Sequence, residues 1–164
     1  MSLALLPGSY DPITLGHLDI VKRALALYDE VVVAVMNNAA KSYMFPIGER
    51  AEMARLATAD MPKVRVVADE GMLVDLFDQL GADVIVKGVR NEADLAYEQE
   101  MAAYNLSRNP RAKTVYLDAA TPYADLSSTR VRDMLKEGEA PHALLPAAVI
   151  SYLDARGVFG VSSK

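Results

Sequence analysis

The chain has 164 residues, of which 52% are hydrophobic and 24% are charged, and its formal net charge is −5. This length and composition are typical of one globular domain, residues 1–164, while the acidic balance argues against a protein that coats nucleic acid or binds anionic membranes. The sequence contains no cysteine, which excludes disulfides and zinc–thiolate sites and is compatible with a cytoplasmic location, and no apolar run approaches the roughly 20 residues of a membrane-spanning helix.

Five short apolar runs along the chain predict β-strands. They lack polar alternation, which is typical of strands that are buried on both faces of a sheet. The predicted strands are Leu3–Leu6, Val31–Met36, Val64–Val67, Val84–Val86 and Thr114–Leu117.

Stretches with helical spacing separate these strands. In the first, Leu18, Val21, Leu25 and Tyr28 form one apolar stripe. The further predicted helices are Gly48–Ala59, Leu73–Leu80, Asp94–Arg108, Ser128–Glu137 and Pro146–Arg156. The alternation predicts a doubly wound (Rossmann-like) α/β fold with a five-stranded parallel sheet and C-terminal helices.

In such a sheet, ligands bind outside the carboxyl ends of the strands, near the point where the strand order reverses. This rule directs attention to the loops that follow the strands. The loops in question are Pro7–His17, Asn37–Phe45, Ala68–Leu73, Lys87–Glu98 and Ala119–Thr129.

The loop after the first strand reads "LLPGSYDPITLGH" over residues 5–17 and contains neither a Walker A pattern nor GxGxxG. Gly8 allows a sharp turn and a close approach to a ligand, and Ser9 offers a hydroxyl and an N–H to a phosphate. His17 falls in the first turn of the next helix, whose N-terminus favours anions. The alternative is an ordinary strand–helix turn in which Thr14 caps the helix.

A second polar string, "LSSTRVRDML", occupies residues 126–135. Its hydroxyls could be a plain helix N-cap. Together with Thr14-Leu15-Gly16-His17, however, it resembles the two hallmarks of the nucleotidylyltransferase superfamily, a (Thr/His)-x-Gly-His and an ST-x-(Val/Ile)-(Arg/Lys) sequence.

Within this superfamily the chain resembles the phosphopantetheine adenylyltransferase family across essentially its whole length. The threonine at position 14 separates it from the cytidylyltransferase branch, which has histidine there. The similar blocks are "PGSYDPITLGHLDIVKRA" (7–24), "MFPIGERAEMA" (44–54), "VKGVRNEADLAYEQEMAAYN" (86–105) and "LLP" (144–146).

The resemblance implies transfer of AMP from ATP to 4′-phosphopantetheine, with release of pyrophosphate and dephospho-coenzyme A. Because the acceptor phosphate is itself a nucleophile, the enzyme needs only to position the reactants and stabilise charge. The resemblance also implies Mg²⁺ that arrives with ATP, a homohexamer and feedback inhibition by coenzyme A. No metal-binding cluster of side chains is visible in the sequence.

The resemblance further implies roles for individual residues. His17, Lys41 and Arg90 would be catalytic, with His17 and Lys41 at the α-phosphate. The acceptor would bind to Ser9, Lys41, Leu73, Lys87 and Asn105. ATP would bind to Ser9, Tyr10, His17, Gly88, Val89, Arg90, Glu98, Tyr123, Ala124, Asp125, Leu126, Ser127, Ser128 and Thr129.

Spacing supports one of these assignments independently. Leu95, Glu98, Ala102 and Asn105 share a single helical stripe, so that Glu98 is expected to face inward. From the sequence alone, Glu98 could equally be an exposed helix residue, and Lys41 a solvated loop lysine.

Two residues depart from the family pattern. Lys87 stands where arginine is usual, which keeps the charge but loses a planar fork, and Asp125 stands where phenylalanine is usual. Two other functions also remain open. The chain could be an adenylyl- or cytidylyltransferase with a different acceptor, or a ligand-binding module without turnover.

Overall fold

The computed structural model describes residues 2–38, 41–119, 123 and 126–159. Strands and helices alternate through these ranges. The strands are β1 (Leu3–Gly8), β2 (Glu30–Met36), β3 (Val64–Asp69), β4 (Val84–Val89) and β5 (Thr114–Asp118). The helices are α1 (Leu15–Leu27), α2 (Ile47–Ala57), α3 (Leu73–Leu80), α4 (Glu92–Arg108), α5 (Ser128–Lys136) and α6 (Ala147–Ala155), with a 3₁₀ turn at His142–Leu144.

The five strands form one parallel sheet in the order β3-β2-β1-β4-β5. Leu5 of β1 pairs with Val32 of β2 on one side and with Ile85 of β4 on the other. The strand order therefore reverses between β1 and β4. The connections that follow these two strands run to opposite sides, which leaves a crevice between them at the carboxyl ends of the strands. The predicted doubly wound α/β fold is confirmed.

The central strands β1, β2 and β4 are buried on both faces, which explains their largely apolar runs, whereas the edge strands β3 and β5 are only partly buried. Ala4 and Leu6 of β1 join a core cluster with side chains of α1, α2, α5 and α6. Leu3 and Leu5 point to the opposite face and pack with α3. Burial on the two faces lets the central strands carry ligand-binding loops on a rigid support.

Strand β4 is longer than the sequence predicted, and this places three predicted site residues, Lys87, Gly88 and Val89, in the strand. Its backbone continues to pair with β5, with Lys87 opposite Tyr116 and Gly88 opposite Leu117. Lys87 and Gly88 therefore lie in the strand itself, and only Arg90 belongs to the connection. Helix α4 begins at Glu92, two residues earlier than predicted, because the Asn91 side chain accepts the Asp94 N–H at 2.8 Å and caps the helix.

Among the residues that the structure describes, no helix combines the length and apolar character needed to cross a membrane.

Candidate active site

A cavity of about 360 Å³ opens at the carboxyl ends of β1 and β4, where the strand order reverses. Most of the residues proposed from the sequence line it together. They are Ser9, Tyr10, His17, Lys41, Lys87, Gly88, Arg90, Glu98, Tyr123, Leu126, Ser127, Ser128 and Thr129. They come from four separate segments of the chain, which only the parallel sheet brings to one place.

The first wall of the cavity is built around Tyr10, which lies in the left-handed region of backbone space with φ 47°. Its hydroxyl donates to the Leu6 carbonyl at 2.9 Å, and its ring lies over Gly8. A Cβ on Gly8 would be 3.0 Å from that ring, so the glycine makes room for the Tyr10 side chain. The sequence predicts that Gly8 also allows a close approach to a ligand, and Gly8 lines the cavity.

The His17 ring is fixed by two neighbours. The Thr14 N–H donates to His17 Nδ1 at 3.0 Å, while Thr14 Oγ1 accepts the His17 N–H at 3.3 Å and so caps α1. The edge of the ring packs against Tyr10, with the ring centroids 4.9 Å apart. Because Nδ1 accepts a hydrogen bond, the neutral ring carries its proton on Nε2, which is left as a hydrogen-bond donor.

Burial first, and then the positive charges of Lys87 and Arg90, together lower the pKa of His17 from its ordinary 6.5 to about 4. His17 is therefore neutral near pH 7. A neutral imidazole with its proton on Nε2 can donate a hydrogen bond to a phosphate oxygen, but it does not act there as a cation. The positive charge of the site comes from lysine and arginine.

Two of these cations lie beside carboxylates of α4. Lys87 Nζ is 3.4 Å from Glu98 Oε2, and Arg90 Nε is 3.0 Å from Asp94 Oδ2. Both pairs lie at the cavity. Glu98 is half-buried and faces inward, as the stripe on α4 predicted. A bound phosphate would compete with these carboxylates for the two cations.

Lys41 follows β2 and is exposed at the cavity edge. Its backbone N–H donates to the Asn38 carbonyl at 2.9 Å. Nearby, the Tyr43 hydroxyl accepts the Asn38 N–H and lies 3.5 Å from Ser9 Oγ. The two loops thus meet at the cavity, with Ser9 on one and Lys41 on the other.

The sequence left open whether the hydroxyls at the start of α5 cap the helix or belong to the ligand site, and their positions are compatible with both. Ser127 Oγ accepts the Arg130 N–H at 3.1 Å and is a helix N-cap, yet it also lines the cavity. Ser128 Oγ donates to the Pro12 carbonyl at 2.8 Å and ties α5 to the first loop. Thr129 Oγ1 accepts from Arg132 Nη2 at 3.0 Å.

Sequence reasoning missed Arg132, which also lines the cavity. Its Nη1 donates to the Asp11 carbonyl at 2.8 Å and lies 3.7 Å from the Asp11 carboxylate. The signal was present, because Arg132 is the basic position of the second motif. Asp94 and Tyr97 were also missed, since nothing in the helical pattern marks them as cavity residues.

Three of the proposed residues lie elsewhere. Leu73 begins α3 and packs against the core on the opposite face of the sheet, Val89 is buried in β4, and Asn105 is buried on α4. These three do not line the cavity described above. Ala124 and Asp125 lie outside the described residues, so the departure at position 125 has no structural account.

The arrangement suits the binding of anions. It offers hydroxyls, backbone N–H groups at the start of two helices, a neutral histidine donor and several cations. The hydroxyl in contact with the His17 ring is that of Thr14, which is 1% exposed and therefore cannot reach a substrate as a nucleophile. The cavity can position phosphates and stabilise charge on them.

Comparison with known proteins agrees with the family resemblance found in the sequence. The model of the cytidylyltransferase-like family matches residues 5–134. A protein named phosphopantetheine adenylyltransferase from Symbiobacterium thermophilum is 46% identical over 146 residues, covering 89% of this chain and 90% of the relative. Proteins of the same name from Wolinella succinogenes and Limosilactobacillus reuteri are 41% and 39% identical, over 93% and 95% of this chain and 95% and 90% of the relatives.

Proposed function

Because this chain belongs to the cytidylyltransferase-like family and, within it, to the phosphopantetheine adenylyltransferases, we propose that it transfers AMP from ATP to 4′-phosphopantetheine. The products are dephospho-coenzyme A and pyrophosphate. The observation that carries the proposal is the neutral His17 donor held among cations in the crevice between β1 and β4.

The reaction needs no covalent enzyme intermediate. An oxygen of the acceptor phosphate attacks the α-phosphorus of ATP, and the bond from that phosphorus to the bridging oxygen of pyrophosphate breaks in line with it. Charge develops on the equatorial oxygens and on the leaving group, where preorganised donors are most effective. The Nε2–H of His17 would donate to an α-phosphate oxygen.

The cations divide between the two substrates. Lys41 would bridge the acceptor phosphate and the α-phosphate, Lys87 would hold the acceptor phosphate, and Arg90 would hold the phosphates of ATP. Lys87 and Arg90 would exchange their partners Glu98 and Asp94 for phosphate oxygens. The exchange keeps each cation paired with an anionic oxygen, while the carboxylates of Glu98 and Asp94 are released.

The remaining assignments are proposals of the same kind. Ser9 would contact both substrates, and Leu73 and Asn105 would serve the pantetheine arm. The ATP contacts would be Tyr10, Gly88, Val89, Glu98, Tyr123, Ala124, Asp125, Leu126, Ser127, Ser128 and Thr129. Of these, Leu73, Val89 and Asn105 need a ligand that reaches beyond the cavity or a change in the shape of the site.

Mg²⁺ would enter with ATP. Across residues 2–38, 41–119, 123 and 126–159, no three acidic or histidine side chains converge in a way that could hold a metal ion. Phosphate oxygens and water would therefore supply most of its ligands, which is usual for Mg²⁺ bound with a nucleotide. The ion would neutralise charge on the pyrophosphate as it leaves.

An acceptor panel tests the substrate assignment. The protein is mixed with Mg²⁺, ATP and 4′-phosphopantetheine, and with nicotinamide mononucleotide and ATP or glycerol 3-phosphate and CTP in parallel. We expect pyrophosphate release only with 4′-phosphopantetheine. Turnover with another acceptor alone would keep the phosphate chemistry and overturn the substrate. ATP binding without any turnover would indicate a binding module.

We further propose that the protein is a cytoplasmic homohexamer that coenzyme A inhibits by competing for the acceptor site. Coenzyme A contains the pantetheine arm and the adenylyl group of the product, so it can occupy both halves of the cavity. Inhibition that is competitive with 4′-phosphopantetheine would support this, whereas unchanged rates at saturating coenzyme A would contradict it.

A further inference from the structure

Arg50 of α2 is a buried cation that contacts both loops leading into the cavity, although it does not line the cavity itself. The residue is 1% exposed. Its Nε donates to the Phe45 carbonyl at 2.9 Å, and its Nη1 donates to the carbonyls of Ser9 at 2.8 Å and Met36 at 3.2 Å. Its Nη2 donates to the side-chain oxygen of Asn37.

These partners bracket the segment that carries Lys41. Met36 and Asn37 precede it, and Phe45 follows it. Tyr43 lies between and covers the guanidinium, whose carbon is 4.0 Å from the centroid of the Tyr43 ring. One planar cation therefore holds both ends of the Lys41 segment and the backbone of Ser9.

A buried carboxylate completes the same junction. Asp11, 1% exposed, accepts the Met44 N–H at 2.9 Å and the Phe45 N–H at 3.0 Å. Burial lowers the pKa of Arg50, while the negative charge of Asp11 acts in the opposite direction. A guanidinium pays a large desolvation cost when buried, so its full set of acceptors defines one arrangement of the two loops.

We infer that Arg50 is a positioning residue: it holds the Lys41 segment against Ser9, so that the Lys41 ammonium and the Ser9 hydroxyl serve the same phosphate. The inference rests on the proposed function for the roles of Lys41 and Ser9. Lysine at position 50 would keep the positive charge. Its single ammonium nitrogen could not, however, bind all the acceptors that surround the planar guanidinium.

The first test is Arg50→Lys. We expect kcat/KM for 4′-phosphopantetheine to fall roughly tenfold to a hundredfold, the range expected when a reacting group is misplaced by about 1 Å. The affinity for ATP, measured by calorimetry, should fall by a smaller factor than kcat/KM. The matched control is Arg55→Lys on the same helix, because Arg55 is half exposed and pairs with the equally exposed Glu52 at 3.6 Å. It should behave like the wild type.

A double-mutant cycle separates positioning from general damage. If Arg50 acts through Lys41, adding Arg50→Lys to Lys41→Ala should cost little beyond the loss from Lys41→Ala alone. If the loss of kcat/KM in the double variant equals the product of the two single-variant losses, the inference is overturned. If Arg50→Lys does not fold, Asn37→Ala removes a single acceptor from an exposed loop residue and should lower the same kinetic parameter by a smaller factor; unchanged acceptor kinetics would overturn the inference.

Hydrogen exchange gives a readout that needs no substrate. Arg50→Lys should speed exchange in peptides covering residues 41–45, where Asp11 and Arg50 hold the backbone, and leave residues 128–136 unchanged. Unchanged protection in 41–45 would overturn the positioning role. A wild-type protein that does not turn over 4′-phosphopantetheine would defeat the proposed function, and the exchange result would still decide the role of Arg50.

Discussion

His17 shows how a few neighbours set the chemistry of one residue. The Thr14 N–H fixes the proton on Nε2, Tyr10 packs against the edge of the ring, and burial keeps the ring neutral. Each of these neighbours lies within seven residues of His17 along the chain. The sequence motif therefore encodes the position and the tautomer of the side chain, whereas its low pKa also depends on burial and on the charges of Lys87 and Arg90.

Removing this donor should affect the chemical step rather than binding. We expect His17→Ala to lower kcat by roughly 10²–10³, a typical loss for one preorganised donor to developing charge. ATP affinity should remain measurable and close to that of the wild type. The control is His142→Ala, because His142 stacks on Phe159 away from the cavity. Near-normal turnover of His17→Ala would remove His17 from its assigned role.

The pKa of His17 predicts an unusual pH dependence. In the folded protein the pKa lies at about 4, below the ordinary 6.5, so the neutral donor persists as the pH falls through 6.5 and is lost only near pH 4. The profile of kcat/KM, which reports the groups of the free enzyme, should show no loss from histidine protonation between pH 8 and about 5.5. An NMR titration of the imidazole carbons checks this directly, and a His17 midpoint near 6.5 would contradict it.

At the scale of secondary-structure elements, the site depends on how closely α1 packs on β4. A Cβ on Gly88 would lie 2.8 Å from Cγ1 of Ile20 on α1, so only glycine admits this approach. The family resemblance implies that Gly88 lies along ATP. The structure adds a packing reason, which a family motif cannot distinguish from ligand contact because both need a residue without a side chain.

Gly88→Ala should therefore destabilise the protein by about 1–3 kcal/mol through overpacking. In an Ile20→Ala background, Gly88→Ala should cost less stability than it does in the wild type, because the clashing side chain has been removed. Gly48→Ala on α2 is the matched control, since an added Cβ there meets nothing within 4 Å. Urea unfolding is measured for the wild type, the three single variants and the double variant, and equal midpoints for Gly88→Ala and the wild type would refute the packing argument.

Element positions were predictable from sequence because strands buried on both faces give continuous apolar runs. The end of β4 was not, because Lys87 and Gly88 interrupt the apolar pattern while their backbones still pair with β5. The stripe containing Glu98 was predictable, since helical spacing reports the buried face of α4. Arg50 was not singled out, because its burial depends on carbonyl groups from two loops that converge only in the folded chain.

At the scale of the whole molecule, α4 leaves an apolar stripe on the surface. Tyr97 is 51% exposed, Met101 43% and Tyr104 49%, at positions that fall on neighbouring turns. Exposed apolar patches of this kind mark contact surfaces. The stripe supports the proposal that several protomers associate.

Light scattering tests this association. A homohexamer of 17.8 kDa protomers has a mass of 6 × 17.8, about 107 kDa. Tyr104→Asp places a charge in the stripe, away from the lining of the cavity, and should lower the mass if α4 lies in a protomer interface. A wild-type protein that is monomeric and fully active in dilute solution would contradict the hexamer.

The fold as a whole followed from the alternation of strands and helices, and the location of the site followed from the reversal of strand order. What the sequence could not supply was the pairing of charges across elements. Lys87 and Glu98 are 11 residues apart, and Arg132 and Asp11 are 121 residues apart, yet each pair meets at the cavity. Such pairs form only when the folded chain brings together the elements that carry them.

The central claim is that the adenylyl group, which contains the α-phosphate, moves directly from ATP to the acceptor. ATP labelled with ³²P at the α-position tests this claim most directly. With Mg²⁺ and 4′-phosphopantetheine, the label should move in a single turnover from ATP to dephospho-coenzyme A, while pyrophosphate is released unlabelled and none of the label stays on the protein. Label retained on the protein after denaturation, or no label transferred to the acceptor despite bound ATP, would contradict direct adenylyl transfer at this site.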